Sequence, residues 1–169
     1  MKRFNMHKFI ALSLFLGLIS CQPKRESDSI KDEVALKHLV DDFSILADQK
    51  DVATQMDLFT EDAVVMSYNE GELGSTFKGK DEIGTAFSNF LGLFKTVYHI
   101  NGQHRVKVYG DSAQGVNYCL VVLISEQDSI RNKMTMGVSY NDTYRKVNET
   151  WLIAKRESHF NWRTNEVMD

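Results

Sequence analysis

The sequence of 169 residues is poor in the residues that mark several common classes of protein. It has one proline, Pro23, and two cysteines, Cys21 and Cys119. No cluster of His, Cys, Asp and Glu has the spacing of a metal site, and no glycine-rich loop follows a predicted strand to bind phosphate. The sequence therefore predicts a domain that uses neither a metal nor a cofactor.

Basic residues are too few to indicate nucleic-acid binding. The 20 Lys and Arg residues face 23 Asp and Glu residues, which gives a formal net charge of −3. Three of the basic residues lie among the first 20, so the other 149 residues hold 17 basic against 23 acidic side chains, a net charge of −6. No basic patch remains to indicate a nucleic-acid partner. The 149 residues are enough for one domain with a sizeable core.

The N terminus has the features of an export signal. A basic start precedes an apolar run at residues 9–18, which is too short to span a membrane comfortably. The following residues Leu18-Ile19-Ser20-Cys21 resemble the lipobox of bacterial lipoproteins. This resemblance implies cleavage before Cys21 and lipidation of its thiol. We expect a signal peptide over 1–20, a flexible polar tether over 21–30, and an exported, membrane-anchored lipoprotein that faces the periplasm or lies at the cell surface.

Helical periodicity dominates the first part of the domain, which is expected over residues 31–165. Ser29 is a plausible N-cap, and one apolar stripe follows it: Leu36, Leu39, Val40, Phe43, Leu46 and Ala47. Asp48 stands where this helix breaks. Asp51 is expected to cap a second helix that buries Val52, Met56 and Phe59. A third helix is predicted from about residue 81 to 94.

The rest of the domain has the two-residue period of strands. Short strands are expected at 63–68 and 75–78, and longer ones at 96–109, 112–126, 132–146 and 150–162. Gly110-Asp111 is a good two-residue hairpin turn. Helices followed by hairpin-linked strands predict an α+β fold, with the helices on one face of a mostly antiparallel sheet.

One predicted strand is apolar on both faces. Its even-numbered residues include Tyr118, Leu120 and Val122, and its odd-numbered residues include Cys119 and Val121. The helices can cover only one of these faces. We therefore expect a homodimer in which a second subunit covers the other face of the sheet. Cys119 itself is interpreted as a buried, inert thiol.

The order of elements and several short segments resemble the SnoaL-like branch of the nuclear transport factor 2-like superfamily, which includes polyketide cyclases, scytalone dehydratase and ketosteroid isomerase. The segments are 48–51, 58–64, 79–83, Tyr98-His99, and 140–156 with Asn141-Asp142 and Trp151-Leu152-Ile153. This resemblance implies a cone, in which a curved antiparallel or mixed sheet wraps round the N-terminal helices. A pocket for a small, largely apolar or aromatic ligand is expected at its open end.

The resemblance also implies a site. Asp48 and His99 match the Asp and His that perform acid-base chemistry in dehydratases of this group, where a carboxylate orients an imidazole that moves a proton. Tyr68 and Tyr140 are the candidate ligand-binding tyrosines, since a hydroxyl could polarise a carbonyl oxygen. Met136 is expected to line the pocket. Dehydration, isomerisation or cyclisation without a cofactor would follow.

Several alternatives stay open. Asp48 could only stabilise a helix end, and His99 lies on a face that is solvated unless a bulge near Gly102 shifts the register. Scytalone dehydratase uses a second His on the next strand, and residues 120–124 contain none. His104 and His159 are expected at the surface. A noncatalytic ligand-binding or protein-interaction module of the cell envelope therefore remains the alternative to an enzyme.

Overall fold

The computed structural model describes residues 23–168, and side chains from Ser29 onward. The elements in chain order are α1 (Pro23–Gln49), α2 (Val52–Met56), β1 (Phe59–Asn69), β2 (Glu72–Lys78), α3 (Lys80–Leu91), β3 (Thr96–Tyr109), β4 (Ser112–Gln127), β5 (Ile130–Val147) and β6 (Thr150–Met168). The predicted order of helices and strands is confirmed. The lipidation of Cys21 and the signal peptide lie outside the described residues and stay predictions.

All six strands form one sheet in the order β2-β1-β6-β5-β4-β3. β1 and β6 run parallel, and every other neighbouring pair runs antiparallel. The open sheet curves around the helices, which confirms the predicted α+β cone. Two-residue turns link the long strands, and Gly110 in the first of them has a φ of 62°.

The first helix begins earlier than predicted. It starts at Pro23 rather than at Ser29, so residues 23–30, expected to be a flexible tether, have helical backbone. A second correction concerns Phe59, which was expected in α2 but is the first residue of β1. The N-cap prediction for α2 is confirmed, because the Asp51 carboxylate accepts a hydrogen bond from the backbone N–H of Thr54 at 3.1 Å. No helix within residues 23–168 is both long and apolar enough to cross a membrane.

The apolar stripe of α1 packs against the concave face of the sheet. Five of its six predicted members are buried: Leu36, Leu39, Val40, Phe43 and Ala47. The first four join a core with Phe59, Val65, Ile83 and Ile153. Ala47 belongs to a second apolar cluster near the start of β3, with Val97, Cys119, Val121, Met136 and Tyr140. The second cluster is where the C-terminal end of α1 meets the strands.

The core also contains an ion pair. Arg156 is fully buried, and its Nε and Nη2 donate to the carboxylate of Asp142 at 2.8 and 2.6 Å. The Tyr144 hydroxyl donates to the same carboxylate at 2.9 Å. The guanidinium lies over the rings of Phe43 and Tyr140, with its carbon 4.0 and 4.4 Å from their centroids. Burial lowers the pKa of the Arg156 guanidinium, but the charge and the hydrogen bonds of Asp142 outweigh this and raise the pKa above its ordinary value, so the pair stays ionised in the core.

Breaking this pair from one side should destabilise the fold strongly. We expect Arg156→Met to lower the free energy of unfolding by about 3–5 kcal/mol, because the Asp142 carboxylate is left buried without its partner. The double variant Arg156→Met/Asp142→Leu should recover part of that loss, since an apolar pair carries no buried charge. Urea unfolding followed by circular dichroism gives the free energy of unfolding of the wild type, the single variant and the double variant. Lys133→Met, which breaks a surface pair with Glu166, is the control. A single variant as stable as the wild type would contradict this view of the core.

Candidate functional site

Asp48 and His99 meet where the end of α1 crosses the start of β3. The Oδ1 atom of Asp48 lies 2.6 Å from Nδ1 of His99, and its Oδ2 accepts the backbone N–H of His99 at 3.2 Å. The two side chains are 24% and 7% exposed. A carboxylate held at Nδ1 favours the tautomer whose Nδ1 carries the proton, which leaves the lone pair of Nε2 to accept another.

The end of α1 is closed in a way that fixes the position of Asp48. Lys50 has a φ of 57°, and its N–H donates to the carbonyl of Ala47, while the N–H of Asp51 donates to the carbonyl of Leu46. These two bonds form a Schellman motif, which usually uses glycine at the left-handed position. The ammonium of Lys50 also donates to the carbonyl of Phe94. The last turn of α1 is thereby tied to the segment that precedes β3.

A β-bulge gives His99 its orientation. The pairing of β3 with β4 shifts register between Asn101 and His104, so the bulge near Gly102 that the sequence left open is present. His99 and Asn101 face α1 on one side of the bulge. Asn101 donates to the Val40 carbonyl at 3.2 Å and accepts from the Ser44 hydroxyl at 3.1 Å. Asn101 thus holds β3 against α1 two residues from His99.

The surroundings of the pair are mostly apolar. The second cluster defined above lies on this part of the sheet, and Phe94, Met134 and Phe160 pack against it. Burial raises the pKa of the Tyr140 hydroxyl and raises the pKa of the Cys119 thiol to about 11, and the charge of Asp48 contributes to both shifts. Both groups are therefore protonated at neutral pH and lie within electrostatic reach of Asp48.

Two cavities lie beside α3. The larger, of about 1000 Å³, lies between α3 and strands β1, β2 and β6. The smaller, of about 430 Å³, is lined by Met134, Met136, Phe90, Phe160 and Trp162, together with polar residues at its edge. Phe90 and Phe160 line both. Met136 lines the smaller cavity. Asp48, His99 and Tyr140 line neither, and Tyr140 is buried beside Arg156.

Tyr68 has a different orientation from the predicted one. Val65 and Ser67 of β1 line the large cavity, whereas Tyr68 lies on the opposite face of the sheet. There its ring stacks on that of His159, with centroids 4.6 Å apart. Adjacent residues of a strand point to opposite faces of the sheet. The expectation that Tyr68 lines the pocket is therefore wrong.

The two remaining strand histidines are more enclosed than expected. The Nε2 atoms of His104 and His159 are both buried. His104 faces α1 because the bulge in β3 turns it inward, and burial together with the charge of Lys37 lowers its pKa. His104 therefore faces inward, which corrects the sequence interpretation, whereas His159 keeps 28% of its side chain exposed on the face opposite the cavity.

Two residues, one beside the site and one in the core, gave no strong signal in the sequence. Asn101 is a single amide in a polar strand. The inward-facing positions of this strand are odd-numbered before Gly102 and even-numbered after it, and only this change of parity could have indicated that Asn101 faces inward. Arg156 interrupts an apolar alternation in β6, which indicates a surface residue unless its buried partner Asp142 is known. Within residues 29–168 no group of three or more His, Cys, Asp or Glu side chains is arranged to hold a metal ion.

Residues 28–157 match the family model described as a SnoaL-like domain. An uncharacterised protein of Mycobacterium tuberculosis is 26% identical over 127 residues, which cover 75% of this chain and 84% of that protein. The match gives no activity for either protein, but it extends over the elements that carry Asp48 and His99.

Solved structures share the fold. A candidate scytalone dehydratase from Novosphingobium aromaticivorans superposes with a TM-score of 0.73 at 20% identity, covering 85% of this chain and 93% of that one. A hexachlorocyclohexane dehydrochlorinase from Novosphingobium barchaimii superposes with a TM-score of 0.71 at 18% identity, covering 83% and 94%. At these identities the similarity establishes the architecture alone.

The chemistry of Cys119 distinguishes an inert core thiol from a nucleophile. Because burial raises its pKa to about 11, we expect iodoacetamide at pH 8 to modify it at least about a hundredfold more slowly in the folded protein than in urea. A Cys21→Ser variant leaves Cys119 as the single thiol, and mass spectrometry follows the reaction. Rapid modification of the folded protein would contradict this assignment.

Proposed function

Because the chain belongs to the SnoaL-like domain family, we propose that it binds a small, largely apolar ligand and performs proton-transfer chemistry with Asp48 and His99, without a cofactor. The observation that carries this proposal is the 2.6 Å contact between the Asp48 carboxylate and Nδ1 of His99. The reaction class is dehydration, isomerisation or cyclisation. Two structural neighbours are named for eliminations, a dehydration and a dehydrochlorination, and elimination is the form favoured here.

In the proposed elimination, Nε2 of His99 takes a proton from carbon. The electron pair of the broken C–H bond forms a double bond to the neighbouring carbon, and the leaving group departs with its own bonding pair. Asp48 holds the imidazole in the required tautomer and stabilises the imidazolium that forms. The Asp48 carboxylate also accepts the backbone N–H of His99. Because both of its oxygens contact the same residue, the carboxylate is held in place and fixes the orientation of the ring.

The apolar surroundings support this assignment. Tyr140 stays protonated because burial raises its pKa, so its hydroxyl is a hydrogen-bond donor for an oxygen that gains negative charge. Met136 lies in the same cluster and lines the smaller cavity. We infer that a substrate approaches the pair from the side of Met136, and that no His on β4 is needed, since Leu123 and Val121 fill that part of the site.

A noncatalytic binding module is the second candidate. One observation favours it: the apolar cavity of about 1000 Å³ between α3 and the sheet is lined by neither Asp48 nor His99. In this alternative, the Asp48 carboxylate serves to join α1 to β3 and the cavity alone carries the function. Substitution of Asp48 or His99 distinguishes the catalytic function from the noncatalytic one.

We further propose that the protein is a homodimer through the outer face of the sheet. This face carries exposed apolar side chains on three strands, which we name the outer patch: Tyr98, Ile100, Val116, Tyr118 and Trp162. The indole of Trp162 lies directly over Gly137, where an added Cβ would be 2.1 Å from its Nε1. A contiguous exposed apolar patch of this kind is typical of a protein interface, and a second copy presents the same patch. Anchoring of this dimer to a membrane through lipidated Cys21 remains part of the proposal.

Substitution of Asp48 tests the chemistry. We expect Asp48→Asn to slow proton abstraction at least about a hundredfold, because the amide cannot stabilise the imidazolium. The assay is hydrogen–deuterium exchange at the carbons next to the carbonyl of 2-tetralone, a small apolar ketone, followed by NMR. His99→Asn should have the same effect.

Asp42→Asn is the matched control, since Asp42 is exposed on the same helix. It should exchange protons at the wild-type rate. Exchange that is equally fast in wild type, Asp48→Asn and His99→Asn would favour the noncatalytic binding module instead.

The outer patch is tested by the mass of the protein in solution. We expect Tyr118→Lys to shift the protein toward the monomer in analytical ultracentrifugation at micromolar concentration, because a charge would be buried at the centre of the interface. Ile45→Lys, on an exposed face of α1, is the control and should leave the mass unchanged. A monomeric wild-type protein would refute the homodimer.

A further inference from the structure

The larger cavity has apolar walls built by α3 and the strands β1, β2 and β6. Its aromatic side chains come from β2, α3 and β6, and aliphatic side chains complete the walls: Phe77, Phe87, Phe90, Phe160, Val65 and Leu93. Its volume of about 1000 Å³ is in the range of small-molecule sites. Phe87 packs edge-on against Phe43 and Phe59, at centroid distances of 6.0 and 6.2 Å. This wall is therefore fixed by the core behind it.

One hydroxyl of this cavity has no hydrogen-bond partner among the side chains of residues 29–168. Ser158 is 8% exposed and lines the cavity, and no side-chain hydrogen bond within residues 29–168 involves it. The other two serines of the cavity, Ser67 and Ser75, are 2.8 Å apart and satisfy one another. A buried polar group is normally hydrogen-bonded. The Ser158 hydroxyl is thus an unpaired polar anchor among the apolar side chains. Thr85 and Asn89 of α3 also line the cavity, and the Thr85 hydroxyl is already bonded to the carbonyl of Asp81 at 2.8 Å.

The charges at the cavity are of one sign. Asp81 and Glu82, in the first turn of α3, are the charged residues that line it. Glu82 also accepts the backbone N–H of Lys78 at 2.9 Å, which holds its carboxylate at the rim. Two carboxylates disfavour an anionic ligand, and no Lys or Arg of the described residues lines the cavity to compensate.

From these three features we infer that this cavity is a binding site for a neutral aromatic or alicyclic molecule with one hydroxyl or carbonyl oxygen, which hydrogen-bonds to Ser158. The four phenylalanine rings provide the apolar and stacking surface. The Ser158 hydroxyl orients the ligand, and the two carboxylates exclude acids. This inference rests on the small-ligand binding of the proposed function and deepens it, because it names the class of ligand and the group that anchors it. The site itself uses neither Asp48 nor His99.

The test compares three probes of one size: naphthalene, 2-naphthol and 2-naphthoate. We expect wild-type protein to bind 2-naphthol more tightly than naphthalene and to bind 2-naphthoate weakly. Ser158→Ala should weaken 2-naphthol about tenfold, the effect of one lost hydrogen bond, and leave naphthalene unchanged. Thr85→Trp, which places a large side chain in the cavity, should weaken both neutral probes. NMR titration gives the affinities and shows which residues respond.

Ser139→Ala is the matched control, since Ser139 lies on the outer face of β5, where its hydroxyl accepts from Asn161. It should bind all three probes as the wild type does. Asp81→Asn/Glu82→Gln should strengthen 2-naphthoate several-fold. Unchanged 2-naphthol binding by Ser158→Ala, or no binding of either neutral probe by the wild type, would overturn the inference. His99→Asn should bind like the wild type, so loss of proton transfer alone would leave this site standing.

Discussion

The β-bulge between Asn101 and His104 decides which side chains of β3 face α1. Without it, the alternation that places His99 and Asn101 inward would continue to Gln103, Arg105 and Lys107. Two cations would then be buried against an apolar core, at a cost that no partner there offsets. With the bulge, Val106 and Val108 face inward instead and pack on the core. One extra residue therefore allows a polar site and an apolar core to share the same face of one strand.

The contact between α1 and β3 depends on this register. Asn101 bonds to α1 in the middle of the helix, and Asp48 bonds to β3 near its end. Lys50 adds a third connection, to the carbonyl of Phe94. Lys50 holds a left-handed conformation that costs a non-glycine residue about 1 kcal/mol or more, and its side-chain bond offsets part of this cost. Three bonds along one crossing preorganise the Asp48–His99 pair, as a site for proton transfer requires.

The sequence allowed the elements to be predicted because their patterns are local. The stripe of α1 and the two-residue turns depend on neighbours a few positions away. The predicted ends of β3, β4 and β5 lie within two residues of those observed, whereas β1 begins four residues earlier and β6 ends six residues later than predicted. Tyr68 and Phe59 were misplaced because a shift of one residue, or of one element boundary, changes the face of a side chain without changing the pattern. The resemblance identified Asp48 and His99, and residue spacing alone could not have paired them across 51 positions.

The features that escaped prediction are set by packing between distant elements. The large cavity exists because α3 lies over β1, β2 and β6 at a distance that leaves space, and no single segment encodes that distance. The unpaired hydroxyl of Ser158 becomes unusual only when its surroundings are known to be apolar. Arg156 similarly needs Asp142, which is 14 residues away, before its burial is intelligible.

The two buried acid–base pairs of this domain differ in a way that separates structure from chemistry. In the Asp142–Arg156 pair, both side chains are about 1% exposed, and the cation lies between two aromatic rings. Three donors converge on that carboxylate, so a ligand could reach it only if the core opened. In the Asp48–His99 pair, 24% of the Asp48 side chain and 7% of the His99 side chain are exposed, and the imidazole retains a second nitrogen. Burial of this intermediate degree lets a group hold a fixed orientation and still meet a substrate, which is why the proposed proton transfer belongs to His99 and not to the deeper pair.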